Sequence, residues 1–216
     1  MNRIALARVS PRFCSLGFSL FFSLLAALPG CAQKMNEGQA TQLVRRHVAA
    51  RAAVSENSLL VSFDNINRLR LPNLGLASVR LGAEDHYGRN CFVVGQKVYC
   101  HDELDALERV VEAHDLGASP RKLDDLEWVK LVSFAYHLSL VQSAADLNGV
   151  LQVPSDVQRQ LQPPQVQYPA EGGGRVTAYS LLLDPKRGPQ GIERVDVTIA
   201  PNHPIACTRQ TVFNKR

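Results

Sequence analysis

The chain predicts an α+β fold in which antiparallel strands carry about three helices. Three observations set that class. Apolar residues recur at helical spacing behind capping signals at Asn36 and at Ser119-Pro120. Short runs rich in Val, Leu and Phe, broken by Gly and Pro, lie between the helical stretches. Near the C-terminus Val195, Val197 and Ile199 alternate with Arg194, Asp196 and Thr198, the mark of a strand with one face buried.

Taken in order, Asn36 with Gln39 makes a capping arrangement, and Leu43, Val44, Val48 and Ala52 continue a helix to about Val54. Its other face carries Arg45, Arg46, His47 and Arg51. Strands follow at 58–64, around the β-rich Leu59-Leu60-Val61-Ser62-Phe63, at 65–70 and at 76–81, with a Pro72-Asn73-Leu74-Gly75 break and a polar loop over 82–90. Cys91 to Cys100 reads as a hairpin on Gly95-Gln96, with Gly supplying the positive φ of a type II′ turn. Counting outward puts Cys91 opposite Cys100 in a non-hydrogen-bonded pair whose side chains lie close. That register predicts a cross-strand disulfide, contributing roughly 2–3 kcal/mol for so short a loop.

Asp102 is placed to cap a helix over 103–115, with Leu104, Leu107, Val111 and His114 on one face and Gly117 beyond its end. Ser119 and Pro120 open a second helix that runs to Asn148-Gly149. Leu126, Val129, Leu131, Val132 and Phe134 among others wrap most of its circumference, which predicts burial on several sides, and Trp128 anchors its start. The Pro/Gln/Gly-rich stretch 150–174 reads as a crossover or a mobile arm. Three antiparallel strands, 175–184, 193–200 and 205–213, close the chain.

The amino terminus carries an address. Arg3, Arg8 and Arg12 precede an apolar run, 13–28, shorter than the roughly 20 residues a membrane span needs. Leu28-Pro29-Gly30-Cys31 follows, and this stretch resembles the lipobox of bacterial lipoproteins, although Pro29 departs from the small residue more usual there. The resemblance covers the targeting segment alone. It implies that the Cys31 thiol receives a diacylglycerol, that residues 1–30 are removed, and that the new amino terminus is acylated. Likeness to Gram-negative lipoproteins further implies, from Ala32, an outer-membrane anchor facing the periplasm. The alternative is an uncleaved signal anchor. Lipid chains contribute roughly 0.8 kcal/mol per buried methylene, so two or more hold a protein without a spanning helix.

Residues 31–35 are a short tether, at most about 17 Å when extended. It would keep Arg45, Arg46 and Arg51 within reach of anionic headgroups, at about 1 kcal/mol per charge. The plainer alternative is the solvated face of an amphipathic helix. A helix followed by antiparallel strands also resembles cystatin-like folds, a likeness of architecture that carries no function.

Residues 36–216 suffice for a single α+β domain with a real core. The formal charge of +4 falls to +1 once Arg3, Arg8 and Arg12 leave, so no nucleic-acid partner is expected. Cys14 leaves with the signal and Cys31 takes lipid. Of the rest, Cys91 and Cys100 pair, and Cys207 reads as a buried inert thiol with no basic neighbour nearer than Arg209. A metal site from Cys91, Cys100, His101 and Cys207 is the rival reading, but zinc sites show tighter C-x-x-C pairs. No metal and no cofactor is expected.

The densest polar cluster is His101-Asp102-Glu103, with His114-Asp115 one helix later. Thirteen helical residues span about 20 Å, so His101 and His114 cannot meet. His137 has no carboxylate at i+3 or i+4 to orient it. G-x-S-x-G, S-x-x-K, H-E-x-x-H and P-loop motifs are absent. The leading expectation is therefore a non-catalytic envelope interaction or assembly factor. The alternatives are a periplasmic hydrolase-like enzyme using His101, Asp102, Glu103 or His137, and an inhibitor or ligand-binding module.

Overall fold

In the computed structural model the described residues are 36–63, 69–82, 88–103, 105–184 and 186–215. The signal, the lipobox with Cys31 and the tether lie outside them. Helix α1 (Glu37–Ala52) starts as its sequence dictates: Asn36 Oδ1 accepts the Gln39 N–H at 2.8 Å and the Gln39 side chain accepts the Asn36 N–H at 3.4 Å. It ends at Ala53, which is left-handed with φ 52°.

Strands β1 (Leu59–Phe63), β2 (Leu74–Leu81), β3 (Arg89–Val94) and β4 (Lys97–Cys100) form one antiparallel sheet in that order. The separate strand expected over 65–70 is not seen where it can be judged: 64–68 lie outside the described residues, and Leu69 and Arg70 form a bend. The hairpin register is the expected one, from Val94 opposite Lys97 to Cys91 opposite Cys100. Gly95 sits at φ 58° while Gln96 is not left-handed, in keeping with a type II′ turn. Cys91 and Cys100 form the disulfide, with Cα atoms 3.9 Å apart and both side chains buried.

Helix α2 (Ala106–Ala113) begins later than expected. Asp102 does not cap it; its carboxylate pairs with Arg89 at 3.5 Å, and Asp105 occupies the cap position without a side-chain cap bond. Leu104 lies outside the described residues. The expected second helix is also interrupted. Pro120–Lys122 form a single 3-10 turn, and α3 (Asp125–Tyr136) restarts behind a capping box of Asp124 and Glu127. Helix α3 stops at His137, left-handed with φ 53°, well short of Asn148. Its continuation loses to sheet pairing: the Ser139 N–H donates to Ser180 Oγ at 3.0 Å, and β5 (Leu140–Val141) pairs with residues of β7 (Gly174–Asp184). Trp128 does anchor the start, fully buried with Nε1 donating to the Pro120 carbonyl at 2.8 Å.

The second sheet runs β5-β7-β8-β9, with β8 (Gly188–Ile199) and β9 (Ala206–Asn214) completing the expected meander. The arm adds a turn of helix, α4 (Ser155–Gln158), and a short strand, β6 (Gln165–Gln167), that pairs with β7 beyond β5. Four layers result. Val44 and Val48 of α1 pack on Ala77, Cys91 and Val93 of the first sheet. Leu76 and Phe92 on its other face meet Leu107, Trp128 and Leu131 of the helical layer, which in turn covers Val176, Val195 and Val197 of the second sheet. A strand such as β2, buried on both faces, reads as a nearly continuous apolar run for this reason.

Far from hanging free, the arm folds back. Leu147, Leu151, Val153 and Val157 join Ile192, with Tyr179 and Leu181 against them, in a separate cluster on the outer face of the second sheet. Gly173, at φ 79°, lets the chain re-enter: a Cβ there would collide with the Ile199 carbonyl oxygen.

Candidate functional site

Two features meet at α3. The first is a polar knot at its C-terminal end. His101 leaves β4 and His137 caps α3, and their rings pack in a tilted arrangement with centroids 4.0 Å apart and planes 55° to each other. The Asn90 backbone N–H donates to His101 Nδ1 and to His137 Nε2, each at 3.3 Å. A ring nitrogen accepts such a bond only when unprotonated, so the geometry holds both imidazoles neutral. The Asn90 side chain secures the arrangement: Nδ2 donates to the Phe134 carbonyl at 2.8 Å and Oδ1 accepts from Ser78 Oγ at 3.2 Å. Burial pushes the His101 imidazole below its ordinary value, and it lowers His137 to about 4 with the neighbouring His101 adding to the effect.

The acids expected beside these rings turn elsewhere. Asp102 faces Arg89, while Glu103 holds His47 Nε2 at 2.8 Å and Arg51 at 3.4 Å. Among the described residues no carboxylate hydrogen-bonds either ring. His47, Cys100 and Glu103 do present three donor atoms within 4.8 Å of one another. The Cys100 sulfur is bonded to Cys91, however, so no thiolate completes a metal set there. His114 is half-buried just past the end of α2, its Nε2 lacks a partner, and burial, helped by Lys122, lowers its pKa. Cys207 fits an inert thiol, since burial raises its pKa against the pull of Arg209. On α1, Arg46 is exposed, Arg45 is half-buried and Arg51 is engaged by Glu103.

The second feature is an open groove of about 840 Å³ along α3. Val129, Phe134, Leu138 and Leu140 give it an apolar floor, and Leu126 stands at its mouth, 78 % exposed. Leu126 was expected inside the core; the restart at Asp124 instead turns it outward. One end is acidic but satisfied: Glu127 accepts the Arg70 N–H at 2.9 Å and the Asp124 N–H at 2.8 Å, and Arg70 pairs with Asp124 at 3.5 Å. His137 lies at the other end, ten helical residues or about 15 Å away. Sequence reasoning missed Asn90 as the organiser of the knot, because its partners lie 11 and 47 residues away. The Asp124-x-x-Glu127 box that turns Leu126 outward was visible, but the stronger-looking Ser119-Pro120 signal masked it.

Comparisons with protein-family models, with curated proteins and with solved structures find no match. What fold and site define is a class: an α+β protein of two antiparallel sheets around a helical layer, with an open amphipathic groove on its central helix. A likeness to cystatin-like folds is not confirmed.

Proposed function

We propose that this is a lipid-anchored envelope protein that binds a protein partner without catalysis, along the groove of α3. The observation that supports this best is Leu126, a large apolar side chain left 78 % exposed at the mouth of an apolar-floored groove. Folding gains nothing from leaving such a residue in water, whereas a partner's side chain covering it removes apolar area worth about 25 cal/mol per Å². The mixed rim of Arg70, Asp124, Lys130 and Gln142 suits a segment with apolar anchors and polar flanks. The lipobox supports the location, outer-membrane-anchored and facing the periplasm. The hydrolase-like alternative draws on His101 and His137, but the single Asn90 N–H between them takes up the lone pairs a general base would use.

Photo-crosslinking in intact cells tests the reading. A photoreactive residue at position 126 of the full chain is expected to give one discrete adduct, and Ser133→Trp, which fills the groove, is expected to abolish it. An adduct that survives Ser133→Trp, or equal labelling from an exposed site on the far side of the first sheet such as Ala50 of α1, would contradict it.

A further inference from the structure

A second site, independent of the α3 groove, lies on the outer face of the second sheet. Strand pairing sets Arg175 opposite Thr198, Thr177 opposite Asp196 and Tyr179 opposite Arg194, and alternation turns these side chains away from the core. The folded-back arm covers the far end of this face with its apolar cluster and then runs along the β7 edge as Gln162 to Gln167. Between that edge and the two arginines is a polar pocket of about 260 Å³, lined by Gln162, Gln165, Gln167, Thr177, Tyr179 and the Arg175–Arg194 pair.

Its charge is built from below. Asp196, whose side chain is only 16 % exposed, is the floor: Oδ1 accepts from Thr177 Oγ1 at 2.6 Å, from Arg175 Nη2 at 3.1 Å and from Arg194 Nη2 at 3.1 Å, and Oδ2 lies 2.9 Å from Arg194 Nε. Burial works against the Asp196 carboxylate, yet bonds from Thr177, Arg194 and Arg175 hold its pKa below the ordinary range. Two guanidiniums thus share one carboxylate and leave one positive charge in excess. Each guanidinium carries five donors, and most of those ten have no partner among the described residues. Arg forks match a carboxylate in geometry as well as charge. The Gln167 amide and the Tyr179 hydroxyl likewise have no hydrogen-bond partner among the described residues, and both suit ligand hydroxyls.

We propose that this pocket binds a carboxylate-bearing saccharide, one sugar unit deep. The excess of a single charge matches one carboxylate, the glutamine amides and Tyr179 match ring hydroxyls, and the volume sits just under the usual range for small-ligand sites. A bare inorganic anion would use the arginines and leave the amide wall without a role.

Titration of the full chain with glucuronate, glucose and inorganic phosphate, followed by calorimetry and by backbone amide shifts, decides this. Glucuronate is expected to bind with a Kd of about 1 mM, the affinity ordinary for a polar ligand of that size. Glucose is expected to be at least about tenfold weaker, and shifts should centre on Thr177, Tyr179 and Arg194. Arg175→Gln and Arg194→Gln should each weaken glucuronate about tenfold, the worth of one charge-assisted fork. Gln167→Ala, which leaves the ion-pair cluster intact, should weaken it about threefold with an unchanged melting temperature; this variant decides the matter if an arginine variant fails to fold. Phosphate binding as tightly as glucuronate would mean a bare anion hole and overturn the proposal. So would glucuronate affinity indifferent to Gln167→Ala and to loss of either arginine, or no binding at about 20 mM.

Discussion

The two imidazoles that meet at the Asn90 N–H are half-buried, and burial makes the knot sensitive to pH in a definite direction. Both His101 and His137 have folded-state pKa values below the ordinary 6.5, His137 near 4. The unfolded chain therefore binds protons on these rings before the folded chain does. Stability is at its plateau above about pH 6.5 and falls as pH drops toward 4, since stability rises with pH wherever the unfolded state holds more protons. The Asp102 carboxylate and the Asn90 backbone bond oppose the shift of His101 while Arg89 adds to it, and His137 has the neighbouring His101 adding to burial, so His137 should dominate. Melting temperature followed from pH 7 to 4 should decline in the native chain and decline less in His137→Asn; equal slopes would assign the decline to other groups. A second residue-scale test concerns Arg209, which donates to Glu193 at 2.8 Å and to the Tyr136 carbonyl at 3.0 Å, tying β9 to the end of α3. The Glu193 side chain is only 7 % exposed, so Arg209→Ala leaves a buried charge unpaired and should cost about 3 kcal/mol in urea unfolding.

At the scale of elements, what the sequence revealed depended on how local each signal was. The Cys91–Cys100 hairpin was legible to the residue because a two-residue turn fixes register, and alternation then leaves one pairing. Cys91→Ser with Cys100→Ser should lower stability by roughly 2–3 kcal/mol, measured as the shift in urea midpoint at unchanged m-value. The cap of α1 and the alternation of β8 were equally local. Helix α3 was not. Its apolar residues continue past His137 as Leu138, Leu140 and Val141, and only a strand forty residues later diverts them into sheet pairing. Leu126 shows the same limit from the other side, since its exposure follows from which cap wins. Two substitutions separate its role from that of the buried face. Leu131→Ala, at a fully buried position, should cost about 2–5 kcal/mol. Leu126→Asp should change stability by no more than about 0.5 kcal/mol while abolishing adducts trapped elsewhere in the groove.

For the whole molecule, the four layers account for the position of both sites. The helical layer buries α3 against two sheets and leaves only the strip bearing Leu126, Lys130 and Ser133 beside open space. The Pro- and Gln-rich arm builds a wall on the outer sheet face. Its Leu and Val residues had no visible partner in sequence because that partner is a sheet assembled afterwards. Neither the α3 groove nor the proposed saccharide pocket was legible, as each depends on residues brought from three or more elements. The expected address is the opposite case, since every signal for it lies in residues 3–32. A groove for an envelope partner has meaning only if the chain reaches the envelope, so the lipid at Cys31 is the claim on which the proposed function turns. Metabolic labelling with a palmitate analogue, followed by membrane fractionation, tests it most directly. The wild-type chain is expected to carry label and sediment with the outer membrane, and Cys31→Ser to lose both; label that persists in Cys31→Ser, or a wild-type chain that never takes it up, would contradict the account.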